Sequence, residues 1–162
     1  MTHLHHYNAT TIWVGNKGKG TADYKAYDRN HDIAINGKPV LTCSSDPSFR
    51  GDKTRHNPEE LLVSSLSGCH MLWYLHVCSV NGVIVTAYTD KATGEMEESA
   101  DGSGVFTSVT LNPQVTVAKV DMIAKANALH AEANKMCFIA RSVKFPVHHN
   151  PVAITESKLS EV

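Results

Sequence analysis

Apolar residues change their spacing along this chain, and the changes divide it into strands, one long helix, more strands and a second helix. Thr10-Thr11-Ile12-Trp13-Val14 is short and rich in β-branched and aromatic residues, and Gly15 to Gly20 supplies the glycines and asparagine that a turn with positive φ favours. Thr21 to Tyr27 and His31 to Ile35 are predicted as further strands, with Asn36-Gly37 a tight hairpin turn into Pro39-Val40-Leu41. Ser44 to Arg55 is polar and turn-rich, a loop leading into the first helix. After Gly82 come two long β segments, Val83 to Met96 and Val105 to Val117. In the second, Val105, Thr107, Val109, Leu111, Val115 and Val117 alternate with polar or small neighbours, the period of a half-exposed strand. A second helix is predicted from Asp121 to about Met136, with Met122, Ala126, Leu129 and Ala133 on one stripe. Ser142 to Val147 and Pro151 to Thr155 are extended. No internal repeat and no linker long enough to separate domains is evident, so a single α+β domain over residues 1–162 is expected.

The first helix has a clean start. Asn57 can cap it, Pro58 fits the first helical position, and Glu59 and Glu60 sit against the positive end of its dipole. It should run to about Ser79, where Asn81-Gly82 supplies a left-handed stop. Leu61, Leu62, Val63, Leu66, Met71, Leu72, Trp73, Leu75 and Val77 surround nearly every face, and a helix apolar all round is buried on all sides. A short chain cannot easily bury six helical turns alone, so an obligate homodimer is expected.

Composition narrows the function. The 162 residues carry a net charge of −1, which gives no electrostatic footprint for nucleic acid or an anionic membrane. No run reaches the ~20 apolar residues that a spanning helix requires. The His-rich, polar stretch Met1 to Thr11 is read as neither signal peptide nor anchor, so a cytoplasmic protein is expected. The four cysteines, Cys43, Cys69, Cys78 and Cys137, show none of the close pairing of a zinc ribbon or a Cys-x-x-Cys motif. Cys69 lies within the long helix and Cys137 in the segment Lys135-Met136-Cys137-Phe138 near the end of the second. Two thiols on separate elements suggest redox chemistry rather than a disulfide framework.

Asn57-Pro58-Glu59-Glu60-Leu61-Leu62, with Cys69 ten residues after Glu59 and a second cysteine in a later helical segment, resembles the OsmC/Ohr family of thiol-dependent peroxidases. The resemblance implies an OsmC-like fold, with antiparallel sheets around two central helices in an intertwined homodimer. It implies that Cys69 is the peroxidatic cysteine, Cys137 the resolving cysteine and Glu59 the residue that orients an activating arginine. That arginine is Arg50 or Arg55. The family's Arg-Phe pair is inverted here as Phe49-Arg50, and Arg50 is favoured because the following Gly51 would leave it on a flexible loop able to swing over the sulfur. In several relatives a proline follows the resolving cysteine, whereas Phe138 stands there in this chain.

The chemistry asks for such a set, since a thiol is nucleophilic only as thiolate and its ordinary pKa of ~8.5 must be countered by a nearby cation. Geometry adds a constraint. Ten residues of continuous helix separate Glu59 from Cys69 by ~15 Å, so either the helix breaks near Ser67-Gly68 or the glutamate comes from the other subunit. Substrate would then bind at the subunit interface against side chains such as Met71, Trp73 or Phe138, which suits an organic peroxide better than hydrogen peroxide. The resemblance implies that an external dithiol or lipoylated protein would reduce the Cys69–Cys137 disulfide, and no metal, flavin or haem is implied.

Other residues carry plainer readings. Cys43 and Cys78 are structural. His70, beside Cys69, invites a cysteine hydrolase, but adjacent helical residues point ~100° apart and a core or interface histidine is the expectation. A zinc site from Cys69, His130 and Cys137 lacks close ligand spacing and a fourth donor. His3, His5, His6, His148 and His149 are read as exposed. Two rival functions remain, a non-enzymatic dimer binding an apolar ligand and a cysteine hydrolase.

Overall fold

The computed structural model describes residues 3–156 and divides the chain into two compact units, Met1–Leu62 and Val63–Val162. The first holds an antiparallel three-stranded sheet of β1 (Thr10–Trp13), β2 (His31–Ala34) and β3 (Leu41–Cys43) in the order β1-β2-β3. The turn before β3 forms as the sequence requires, with Gly37 at φ 74° and Lys38 N–H donating to the Ile35 carbonyl at 3.0 Å. Thr21 to Tyr27 is not a strand. Asn16 Oδ1 accepts from the amides of Gly18 and Gly20, Asp23 Oδ1 from Lys25, and the Arg29 guanidinium lies over the rings of Tyr24 and Tyr27 at 4.1 and 4.3 Å. Local side-chain bonding thus folds the segment into turns before it can pair.

The first long helix, α1 (Pro58–Val80), starts with a capping box: Asn57 Oδ1 accepts from the Glu60 amide at 2.7 Å and Glu60 Oε2 from the Asn57 amide at 3.3 Å. It continues unbroken through Ser67 and Gly68 and ends at Gly82, whose φ is 72°. By length and composition alone α1 is apolar enough to cross a membrane, which corrects the expectation that no segment would qualify. In this chain it instead packs one stripe, Leu66, His70, Tyr74 and Cys78, into the core at four-residue spacing. Burying Leu66 alone contributes roughly 2 kcal/mol. The other faces are not enclosed by the chain itself, and Leu72 is 66% exposed.

The second unit adds two mixed sheets. In one, β7 (Pro113–Val117) pairs antiparallel with β4 (Val85–Asp90) and parallel with β9 (Val152–Thr155). In the other, β6 (Gly104–Leu111) pairs antiparallel with β5 (Thr93–Glu98) and parallel with β8 (Val147–His149). Each long β segment of the sequence is therefore two strands serving different sheets. The breaks fall at Lys91-Ala92 and at Asn112, where Asp90 Oδ1 accepts from the Asn112 amide at 2.7 Å and Asn112 Nδ2 donates to the Lys91 carbonyl at 2.9 Å. Helix α2 (Ile123–Met136) packs Ala126, Leu129 and Ala133 with Tyr74, Cys78, Val115 and Val117. The α+β class and two helices agree with expectation, and the sheets are mixed as well as antiparallel.

Candidate active site

Cys69 and Cys137 meet within one chain. Cys137 stands immediately after α2 in extended backbone (φ −66°, ψ 110°), and its amide still donates to the Ala133 and Asn134 carbonyls. It is therefore a helix cap rather than a helical residue, which holds its sulfur at the point where α2 turns away. The Cys137 sulfur is fully buried, accepts from the Ala140 amide at 3.4 Å, and stands close enough to the Cys69 thiol for the two to interact. Burial first, then Cys69, pushes the Cys137 thiol up to about 11, so it is protonated at neutral pH. Cys69 is only half-buried, and all four cysteines are free. Cys43 and Cys78 are buried, with thiols raised chiefly by that burial, as a structural role requires.

Cys69 opens into a groove of about 350 Å³ lined by Leu72, Trp73, His76 and Phe138. Three of these stand three, four and seven residues after Cys69, and so share its helix face. Met71 does not line the groove. Two residues on, it points ~200° away around the helix. Trp73 and Phe138 meet edge to face at 5.4 Å, forming an aromatic corner beside the sulfur. Leu72, Trp73 and His76 were legible in principle from the helical spacing around Cys69.

The remaining candidates lie in the first unit. Arg50 caps the short 3₁₀ turn Pro47–Phe49 in the left-handed region, φ 65°, the only non-glycine residue there among the described residues. Its loop is not slack: Asp46 Oδ1 accepts from Ser48, Ser45 Oγ donates to the Phe49 carbonyl at 3.1 Å, and a Cβ at Gly51 would stand 1.5 Å from the Ser45 carbonyl oxygen. These contacts brace the backbone of the loop, and the Arg50 side chain is exposed. Arg55 lies within ion-pair distance of two carboxylates, Asp32 at 3.6 Å and Asp52 at 3.8 Å, while its buried Nη1 makes no hydrogen bond. Arg50 has no ion pair among the described residues. Glu59 keeps one carboxylate oxygen, Oε2, buried with no hydrogen-bond partner. Continuous α1 removes the broken-helix option for this glutamate.

Residues 51–151 match the family model of OsmC-like proteins. The chain belongs to the OsmC-like family. Among solved structures, an OsmC-like protein of unknown function from Vibrio cholerae is similar at 27% identity and a TM-score of 0.83, covering 92% of this chain and 100% of that one. An organic hydroperoxide resistance protein, OsmC, from Legionella pneumophila shares the fold at 16% identity and a TM-score of 0.69, over 94% and 98% of the two chains. Another, from Elizabethkingia anophelis, does so at 15% identity and 0.67, over 96% and 99%. No curated protein matches the chain.

Beside the sulfurs, this OsmC-like chain buries two histidines. His70 Nε2 lies 2.9 Å from His130 Nδ1 and both rings are inaccessible. Burial, then His149, holds His70 down to about 4 against the opposing pull of Asp90; burial, then His70 and His149, holds His130 down to about 3. His70 is therefore a core histidine, which leaves the hydrolase reading without the base next to its nucleophile. His148 is exposed as expected, whereas His149 is half-buried with its ring 5.7 Å from that of His70. Among the described residues no group of three or more His, Cys, Asp or Glu side chains is arranged to hold a metal ion. Both histidines bind protons less readily folded than unfolded, so the unfolded chain takes up more protons below ~6.5 and stability must fall with pH from there toward 4. Urea midpoints measured between pH 7 and 4.5 should decline, and less steeply in His130→Phe.

Proposed function

We propose that this protein is a thiol-dependent peroxidase of organic hydroperoxides. Cys69 thiolate attacks the distal peroxide oxygen, the O–O bond breaks, and the departing alkoxide takes a proton to leave as alcohol. Cys69 is left as a sulfenic acid. The Cys137 sulfur then displaces that oxygen as water, forming the Cys69–Cys137 disulfide, and an external dithiol or lipoylated protein reduces it by exchange. The observation that carries the reading is the pairing of a half-buried thiol in an apolar groove with a buried, protonated thiol beside it. The first has access to substrate, and the second has none. The groove's apolar lining favours an alkyl or aryl hydroperoxide over hydrogen peroxide. The relatives named as organic hydroperoxide resistance proteins support the same substrate class.

The reading includes a homodimer in which each Cys69 is served by the partner's Glu59. The ~15 Å along an unbroken helix, the unpartnered Glu59 Oε2 and the apolar side chains exposed beside the sulfur, Leu72 at 66% and Phe138 at 65%, support it. Thiol titration before and after one equivalent of cumene hydroperoxide tests the function. Loss of two thiols per chain is expected; no loss would favour a ligand-binding dimer, and ester turnover without thiol loss a hydrolase.

Arg50 is the activating cation in this reading, because Arg55 is already held by Asp32 and Asp52. Arg50→Ala should slow alkylation of Cys69 by iodoacetamide at neutral pH by about tenfold or more, as loss of a close opposite charge does. Arg55→Ala should change it far less. Equal rates for wild type and Arg50→Ala would move the assignment elsewhere.

A further inference from the structure

The two helices that carry the sulfurs are joined by the histidine pair. His70 follows Cys69 directly in α1, and His130 precedes Cys137 by seven residues, two turns of α2. Their ring planes are 12° apart with centroids at 5.2 Å, so the 2.9 Å bond lies close to the plane of both imidazoles, one N–H donating to the other's lone pair. Tyr74 stacks on His130 at 3.7 Å and donates to the Ala126 carbonyl at 3.1 Å, which fixes the ring on α2. The outer nitrogens, His70 Nδ1 and His130 Nε2, are buried and have no partner. In this register the two rings are each other's hydrogen-bond partners, with the His149 ring 5.7 Å from that of His70 and 6.4 Å from that of His130.

We propose that the His70–His130 hydrogen bond is a positioning device for disulfide closure, fixing α1 against α2 so that Cys137 stays within reach of oxidised Cys69. The proposal rests on the peroxidase reading. In the step it serves, a Cys137 sulfur lone pair forms the S–S bond as the Cys69 S–O bond breaks, and the thiol proton leaves with that oxygen as water. Neither histidine gains or loses a proton. A disulfide accepts Cα separations of only ~4.4–6.8 Å, and sliding one helix by a single residue moves its backbone by ~1.5 Å. A register slip of one or two residues moves one backbone past the other by ~1.5–3 Å, comparable with the whole width of that range.

His130→Phe keeps the ring on Tyr74 and removes the bond, and His70→Phe removes it from the other end. His130→Asn and His70→Gln each return an amide group near the lost nitrogen. Single-turnover oxidation by cumene hydroperoxide, with dimedone to trap sulfenic acid, separates the first oxidation from closure. Each Phe variant should form sulfenic acid at the wild-type rate but close at least about tenfold more slowly, as loss of one buried hydrogen bond implies, and each amide variant should recover most of that loss. Equilibration of the same proteins in dithiothreitol redox buffers, with no peroxide present, should show the disulfide equilibrium constant lowered by about tenfold in the Phe variants, ~30 mV. This arm reports on positioning even if the protein proves not to be a peroxidase. Unchanged closure in both Phe variants, or amide variants that close no faster than the Phe variants, would overturn the proposal.

Discussion

Cys69→Ser will reduce hydroperoxide turnover to background, while Cys137→Ser will complete one turnover and stall as a sulfenic acid. The asymmetry follows from the surroundings of the two sulfurs. A serine hydroxyl has no accessible anion at neutral pH and cannot accept the peroxide oxygen. Cys137 lies buried behind Cys69 with its thiol raised to about 11, so it neither reaches peroxide nor ionises to attack it. In the proposed mechanism its part begins only after Cys69 is oxidised. Stopped-flow measurement of cumene hydroperoxide loss, followed by dimedone labelling of the stalled protein, reads both variants. Steady-state activity in Cys69→Ser would end the mechanism.

The second large effect is complementation between inactive subunits. Glu59→Ala and Cys69→Ser should each be inactive alone. If the partner supplies Glu59, a mixed dimer contains one site with both residues intact. After subunit exchange, half of the dimers are mixed and half of their sites complete, so activity should return to about a quarter of wild type. Exchange is checked by native mass spectrometry of differently tagged chains. A mixture that exchanges fully and stays inactive would mean that the glutamate does not act across subunits.

Much of the fold was written locally. The cap at Asn57, the stop at Gly82 and the turn at Asn36-Gly37 each depend on residues a few positions apart and formed as predicted, and Glu60 completes a capping box at the first of them. The failures share a cause. Thr21 to Tyr27 has strand-forming residues, but Asn16, Asp23 and Arg29 capture it in turns. The division of each long β segment between two sheets is fixed by the bonds of Asp90 and Asn112 across 22 residues, which no local window contains. At the candidate site, Cys69 and Cys137 were legible because their setting resembles a family pattern, and Leu72, Trp73 and His76 follow from helical spacing around Cys69. Met71, on the far side of the helix from Cys69, stands outside this groove. His130 carried no local signal as a partner, since 60 residues separate it from His70 and only the packing of α2 on α1 brings the rings together.

Peptide mapping of the oxidised protein under non-reducing conditions tests the central claim most directly. After one equivalent of cumene hydroperoxide per chain and quenching with iodoacetamide, the account predicts one disulfide joining the Cys69 and Cys137 peptides within a single chain. Cys43 and Cys78 should remain fully alkylated, with one cumyl alcohol released for each disulfide formed. A stoichiometric release of alcohol with Cys69 and Cys137 both still alkylated, or a disulfide that joins other cysteines, would contradict it.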